Sequence, residues 1–502
     1  MNSRPLRLLI LTLYLLAVAG SLFLANLKRA ALVYDEVDYA FYAQFAARLA
    51  DPQLTDVYSA QPRGYNFIGY VGTDGKDNLH QSVHFEPIKY GYAIFYGLIP
   101  NPLFITFFVA LFYFSPLVYL AWVHPAQDST ERLFVFLFAL LYFSIPSVFY
   151  MVTNDLRPRI LMIPSFTLAL LSIHYRRPVP ERLLLFGLLF LIREEVLLFG
   201  PLLLLYNFFR SSPGRERTAA TTGFGLIWLG FLLVIGAYFH WTGYEVDPTY
   251  SPLHLFFSLR RLFRALIIGS GVTALILFGV LWSQSRKTPW MKDLLPILAY
   301  ATLFIPLAIQ FSTTLPDWLL ADSPSNREIV DRFLYSPNTT MLFAAALLLL
   351  VLIRNSIKSP NGLMALQSVF LLVGVGSLSL QLTHLSKTIA DYKIQASLAE
   401  LVFHLRAETD PYTSRILTDY PTYQAFFDYE NTLLYQRLPW QLAGEDRYFP
   451  DNLPYLQQIL PNVDTIVIST ESQPNIENIL TASNLQPVRV IENERYQIIH
   501  LP

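Results

Sequence analysis

The chain has 502 residues, 53% of them hydrophobic and 15% charged, with a formal net charge of −1. A mean hydropathy of +0.39, with a charged fraction well below the ~25% of an ordinary soluble domain, indicates a multi-spanning membrane protein. The absence of cysteine excludes disulfides, thiolate-ligated zinc and thiol catalysis, and the balanced charge gives no sign of a nucleic-acid partner.

About eleven apolar segments follow one another, near residues 8–27, 102–123, 132–151, 160–174, 182–192, 196–209, 222–240, 265–283, 294–312, 340–353 and 362–382. The first is too long for a signal-peptide core and has no clear small-residue cleavage site before Lys28. Basic clusters set an orientation. They are Arg4 and Arg7; Arg176, Arg177 and Arg182; Arg210, Arg215 and Arg217; Arg286, Lys287 and Lys292; and Arg354 and Lys358. With a cytoplasmic N-terminus and one crossing per segment, all of them fall on the cytoplasmic side. The expected location is a cell membrane, inner or plasma, with the lipid bilayer as first partner.

The expected fold is an α-helical polytopic membrane protein. A transmembrane domain spans residues 1–383, with 28–101 as its first extracytoplasmic loop. A small extracytoplasmic α/β domain follows over 384–502. Helical patterning near 387–407 and 453–460, and strand patterning at 415–418, 464–469, 488–491 and 496–499, define that last domain.

Residues 182–209 could form one helix, but Arg193, Glu194 and Glu195 would then sit at mid-bilayer. That costs on the order of 2.5–3.5 kcal/mol per charge. Two short helices meeting at these charges on the outer side are the preferred reading; a plain ion pair is the bland alternative.

Directly after the first span come Tyr34, Asp35, Glu36, Val37, Asp38 and Tyr39. Anchoring a helix needs flanking basic or aromatic residues, not acids. Residues 39–49 have the spacing of an amphipathic helix lying along the membrane surface. Carboxylates at its start could act as a general base or help hold a divalent cation. They could equally be favourable acids at a helix N-terminus. His80, His84 and Glu86 form a second cluster able to serve as ligands or acid–base groups, although an ordinary polar loop explains them as well. The short turn Asn154-Asp155-Leu156-Arg157-Pro158-Arg159 carries two arginines on the face where basic residues are disfavoured, which a bound phosphate would justify. Arg260, Arg261 and Arg264 could face lipid phosphates in the same way.

At Asp35-Glu36-Val37-Asp38-Tyr39-Ala40 the chain resembles the GT-C superfamily of membrane glycosyltransferases. Its members, protein mannosyltransferases and lipid A aminoarabinose transferases among them, often carry Asp-Glu-x-x-Tyr-Ala after the first span. Three further landmarks resemble an uncharacterised family of predicted membrane proteins grouped with that superfamily. There the stretches typically read His-x-Ser-Pro, Asp-Phe-His-Pro-Glu and Lys-Glu-Asp. Here they read His84-Phe85-Glu86-Pro87, Asp155-Leu156-Arg157-Pro158-Arg159 and Arg193-Glu194-Glu195. The resemblance covers about residues 8–380 and rests mainly on the order of short motifs.

The resemblance implies transfer of a sugar from a polyprenyl-phosphate donor on the non-cytoplasmic face, usually with inversion. Asp35 would be the base or electrostatic centre, with Glu36 and Asp38 beside it. His84, Glu86, Asp155, Arg157, Arg159, Arg193, Glu194 and Glu195 would bind substrate, the arginines neutralising the donor phosphate. Some members of the superfamily use a divalent metal ion, for which Glu36, Asp38, His84 or Glu86 could be ligands; the cofactor is otherwise left open. The acceptor is left open. A transporter or flippase, expected to show internal repeats and broken helices, and a non-catalytic membrane scaffold are the rival readings.

Overall fold

The computed structural model describes residues 4–33, 38–54, 69–71, 77–79, 85–123, 129–143, 156, 158–193, 200–242, 360–434 and 460–502. The apolar segments near 265–283, 294–312 and 340–353 lie outside them. Among the described residues, three helices are long and apolar enough to cross a bilayer, at Pro5–Ala31, Pro102–Val123 and Arg215–Tyr238. In order, the helices are α1 (Arg4–Ala31), α2 (Asp38–Ala50), α3 (Lys89–Leu98), α4 (Pro102–Val123), α5 (Ser129–Phe143), α6 (Met162–His174), α7 (Val179–Phe190), α8 (Gly200–Arg210), α9 (Arg215–Thr242), α10 (Pro360–Glu408), α11 (Tyr420–Tyr423) and α12 (Gln473–Ala482). The strands are β1 (Gly69–Val71), β2 (Asp77–Leu79), β3 (Arg415–Thr418), β4 (Asn431–Leu434), β5 (Thr465–Ser469), β6 (Arg489–Glu492) and β7 (Tyr496–His500). The segments expected at 362–382 and 387–407 are one continuous helix, α10, of 49 residues.

The chain divides into two compact units. One comprises residues 1–18, 111–152 and 158–384, the other residues 19–110, 153–157 and 385–502. In the first unit, α6 packs on α7 and α8, and α9 on α7 and α8. α9 approaches α7 at Gly223, where a Cβ would lie 2.7 Å from Leu183 Cδ2. Phe186 and Phe224 stack at 4.1 Å and Phe190 and Phe231 at 5.2 Å beside that contact. Pro116 within α4 has no N–H for the carbonyl of Phe112, and the Ser115 hydroxyl donates to it instead at 2.7 Å.

The helix ends of this unit are tied by a buried cation. Arg182, 1% exposed, donates to Asn207 Oδ1 at 2.6 Å, to Ser211 Oγ at 2.7 Å and to Glu216 Oε1 at 2.5 Å. In the sequence Arg182 serves only as a loop charge. In the structure it joins α7, α8 and the start of α9, a role its position in a basic cluster does not reveal.

The second unit is built on a five-stranded sheet of order β4-β3-β5-β7-β6. β3 runs parallel to β4 and β5, with Ile416 opposite Thr432 and Thr465. β7 runs antiparallel to β5 and β6, with Ile498 opposite Val467 and Ile491. Alternation of side chains divides the core into two faces. Leu417, Ile466, Ile468 and Ile499 pack with Ile476, Ile479 and Leu480 of α12 on one face. Ile416, Val467, Tyr496 and Ile498 pack with Ala399, Val402 and Leu405 of α10 on the other. β5 is buried on both faces, which explains its unbroken apolar run.

At the C-terminal ends of β3 and β5 the buried Asp419 carboxylate collects the turns. Its Oδ1 accepts from Thr422 N–H at 3.1 Å and Thr422 Oγ1 at 2.7 Å. Its Oδ2 accepts from Ser469 N–H at 2.7 Å, Ser469 Oγ at 2.5 Å and Ser472 Oγ at 2.9 Å. Asp419→Ala strands two buried backbone donors, each costing about 1–3 kcal/mol. The variant is expected to lose about 2–6 kcal/mol, read as a lowered melting temperature in detergent. A melting temperature equal to wild type would show that this carboxylate does not hold the ends of β3 and β5 together.

Candidate active site

The acidic motif lies in the connection between α1 and α2, and both ends of that connection are described. α1 closes with Val33 N–H donating to the Lys28 carbonyl and Leu32 N–H to that of Arg29, each at 3.1 Å. This bond pair places the residue after the cap in the left-handed region, where glycine is usual. Here the residue is Leu32, with φ of 50°. That conformation costs roughly 1–2 kcal/mol. The Leu32 side chain is 1% exposed, in the cluster formed by α10 and one face of the tail sheet. Burying a leucine contributes about 1.5–3 kcal/mol, so packing outweighs the strain. Tyr496 Oη donates to the Ala31 carbonyl at 3.4 Å. Burial pushes its pKa up to about 12, which keeps the hydroxyl a donor. The Lys28 ammonium lies 5.8 Å from the Tyr392 ring centroid.

Helix α2 begins at Asp38. It corrects one expectation. Instead of lying along a membrane surface it is a core helix: residues 39–48 are all 5% exposed or less. The reason is composition. A surface helix needs a strongly charged face, and between Tyr39 and Ala50 the only charged residue is Arg48. Alanines 40, 43, 46 and 47 let neighbours approach, and α3 packs against the helix. Tyr42 and Tyr92 meet edge to face at 6.4 Å, as do Phe45 and Tyr90 at 5.7 Å. The ammonium of buried Lys89 lies 5.0 Å from the Phe45 ring centroid.

The polar contacts of α2 are specific. Tyr42 Oη donates to Glu86 Oε2 at 2.6 Å, both side chains being buried. Arg48 reaches the tail. Its guanidinium donates to Glu430 Oε2 at 3.2 Å, to the Glu430 carbonyl at 3.1 Å and to the Tyr429 carbonyl at 3.5 Å. Burial pushes the Arg48 pKa down, and Glu430 acts against that shift. One turn on, Asp51 accepts from Tyr412 Oη at 2.9 Å. Phe41 meets Tyr423 edge to face at 6.4 Å. The loop contacted by Arg48 is itself held by Arg406, which donates to both carboxylate oxygens of Asp428 at 2.7 Å.

Of the sequence-derived site residues, Glu86 is buried against Tyr42, and Asp38 opens α2. The helix breaks before Arg193 as expected: α7 ends at Phe190, residues 191–193 turn, Arg193 is buried and helix α8 starts at Gly200, with residues 194–199 outside the described ones. Asp35, Glu36, His84, Asp155, Arg157, Glu194 and Glu195 lie outside the described residues, as do the side chains of Asp38 and Arg159; the backbone of Arg159 is in a 3₁₀ turn, Pro158–Leu161. Among the described residues no group of three His, Asp or Glu side chains could hold a metal ion. Leu32, Arg48 and Glu430 were not singled out from sequence. The available signal was Arg48, the lone charge in an otherwise uncharged stretch of helix.

No family model and no curated protein matches the chain. Among solved structures it is similar to ArnT from Cupriavidus metallidurans bound to undecaprenyl phosphate, with 13% identity, 97% of each chain covered and a TM-score of 0.47. It is similar to apo ArnT from the same organism at 12% identity, again over 97% of each chain, with a TM-score of 0.48. An oligosaccharyltransferase from Archaeoglobus fulgidus, in complex with zinc and sulfate, is 12% identical over 93% of this chain and 69% of its own, with a TM-score of 0.38. Likenesses at these scores and identities do not carry activity or site residues across.

The left-handed turn before the motif makes a test. Leu32→Ala removes buried side-chain volume, a change that typically costs about 2–5 kcal/mol. Leu32→Gly removes slightly more, yet it relieves the backbone by about 1 kcal/mol. The glycine variant is expected to melt no lower than the alanine variant, the reverse of the order at an ordinary helical position. A glycine variant clearly less stable than the alanine variant would show that Leu32 is not strained.

Proposed function

We propose that the chain is an integral membrane glycosyltransferase that moves a sugar from a polyprenyl-phosphate donor to an acceptor on the extracytoplasmic face. The observation that carries this is the division of Asp35-Glu36-Val37-Asp38-Tyr39-Ala40 across the start of helix α2, a short connection after the membrane-length helix α1. Tyr39 and Ala40 are 2% and 0% exposed inside α2, so the second half of the motif is structural. The carboxylates of the first half fall in the short connection between α1 and that buried helix.

In this reading Asp35 takes the proton of the acceptor hydroxyl. The acceptor oxygen attacks the anomeric carbon, the bond from that carbon to the phosphate oxygen breaks, and polyprenyl phosphate leaves with the bonding pair. Arg157, Arg159 and Arg193 are the side chains suited to the leaving phosphate's charge. A divalent cation, if bound, would draw on Glu36, Asp38 or His84. Glu86 is already engaged by Tyr42, which favours a structural role for it.

The test is transfer from radiolabelled polyprenyl-phosphate sugars by purified protein. Asp35→Asn keeps the size and removes the charge. It should insert normally and lose about 10² or more in rate, the lower end of general-base contributions. Transfer at the wild-type rate would remove Asp35 from the mechanism and favour the transporter or scaffold readings.

Orientation is part of the same proposal. Reporter fusions after Arg217 and after Asp391 should report the cytoplasm and the opposite side respectively, as the basic clusters require. Two cytoplasmic signals would overturn the extracytoplasmic placement of the tail.

A further inference from the structure

Two turns of the first unit lock together, the one from α6 to α7 and the one from α8 to α9. Arg210 Nη2 donates to the His174 carbonyl at 2.9 Å, and Arg182 donates to Ser211 Oγ and Glu216 Oε1. Residues 174–182 and 207–217 hold six arginines and two glutamates, a net charge of +4. Both carboxylates are engaged within the turns, Glu181 by Arg177 Nε at 3.0 Å and Glu216 by Arg182. Arg176 and Arg215 are exposed, and Arg217 is steered by the Ser211 carbonyl at 3.2 Å and the Phe208 ring at 4.8 Å. We propose that this double turn binds the headgroup of an anionic phospholipid, with Arg176, Arg215 and Arg217 addressing its phosphate. The site is independent of the glycosyltransferase reading.

The ligand is a lipid rather than a free anion because of what lies below the charge. Arg215 heads a stripe of α9 that continues through Ala219, Thr222, Leu226 and Leu229, spacings that keep all five on one helix face. All five side chains are exposed. The two nearest the arginine are small and the next two are long and apolar, so an acyl chain can lie along the stripe beneath a headgroup. From Arg215 to Leu226 is about 16 Å along the helix axis, close to the ~15 Å depth of one hydrocarbon leaflet. The backbone at Arg176 is a second, independent observation. Its φ is 48°, and it closes α6 with the bond pair seen at Leu32: Arg176 N–H donates to the Ile173 carbonyl and Arg177 N–H to that of Ser172. At Leu32 burial offsets the strain. Arg176 is exposed, so packing does not offset it, and glycine would be the unstrained residue. Strain that packing does not offset points to a role for the side chain itself. A planar guanidinium matches phosphate oxygens in pairs. General attraction to an anionic surface needs only net charge, not an arginine in the left-handed region.

The test titrates phosphatidylglycerol carrying a fluorescent acyl chain into the purified full-length protein in detergent, with phosphatidylcholine carrying the same chain as reference. Phosphatidylglycerol should bind ~10-fold tighter or more. Arg176→Gln and Arg215→Gln should each reduce that preference about fivefold, the effect of one basic side chain at an anionic surface. Arg7 lies at the same end of the unit, 5.9 Å from the Trp122 ring centroid on α4, the helix whose Tyr119 donates to Glu181. Arg7→Gln should leave the preference unchanged. Arg176→Gly separates the site from the fold: it should melt no lower than wild type and still lose the preference about fivefold. Equal binding of the two lipids by wild type, or an unchanged preference in folded Arg176→Gln and Arg215→Gln proteins, would overturn the proposal. A loss with Arg7→Gln as large as with Arg176→Gln would overturn it too, since diffuse charge would then suffice. Displacement of phosphatidylglycerol by an equal concentration of water-soluble glycerol phosphate would overturn the lipid assignment.

Discussion

An L-residue in the left-handed region at the end of a long helix stays there only while its side chain has somewhere better to be than water. Leu32 is that residue, and its site is the core between α10 and the tail sheet. Glycine would have closed α1 with the same two hydrogen bonds and no strain, but it would have left the chain free to pivot there. With leucine, the direction in which the backbone leaves α1 depends on a core assembled from residues more than 350 positions later, Ala399 to Ile498. The Arg48 contacts repeat that dependence at the other end of α2.

The buried polar groups of the two units solve one problem in different ways. Arg182 gathers amide, hydroxyl and carboxylate acceptors from neighbouring helix ends, and Asp419 gathers backbone and hydroxyl donors from two strand ends. Each is a single charge whose burial is tolerable because several partners converge on it. Each sits where regular backbone pairing stops, the place where a helix bundle or a parallel sheet has groups left to satisfy.

Much of the architecture was legible in the sequence because it follows from hydrophobic length and period. Strand patterning at 415–418 coincides with β3, and the helix break before Arg193 follows from the cost of charge in a bilayer. Helix α2 was legible as a helix but not as a core helix. Its Tyr-Ala-Phe-Tyr-Ala pattern gives apolar spacing, while burial on every side depends on tertiary neighbours that no local pattern encodes. The continuity of α10 was hidden for a related reason: its second half carries Lys387, Asp391 and Lys393, so hydropathy ends where the helix does not. Of the site, the carboxylates could be singled out by residue type. Leu32, Arg48 and Glu430 could not, because an αL leucine and an ion pair across 382 positions leave no local signature.

The second unit is made of residues 19–110, 153–157 and 385–502. A ribosome delivers these in order, so the first part must wait for the last. Until the strands after residue 460 exist, the core has no Val467, Ile498 or Tyr496 to close around Leu32, and α2 has no Glu430 until synthesis is most of the way through. Contacts of this sequence separation are slow to form and cannot be sampled early. The packing around Leu32 and Arg48 is therefore completed only at the end of synthesis. A protein truncated within the tail would keep α1 and α2 and still lack the residues that close around Leu32 and Arg48.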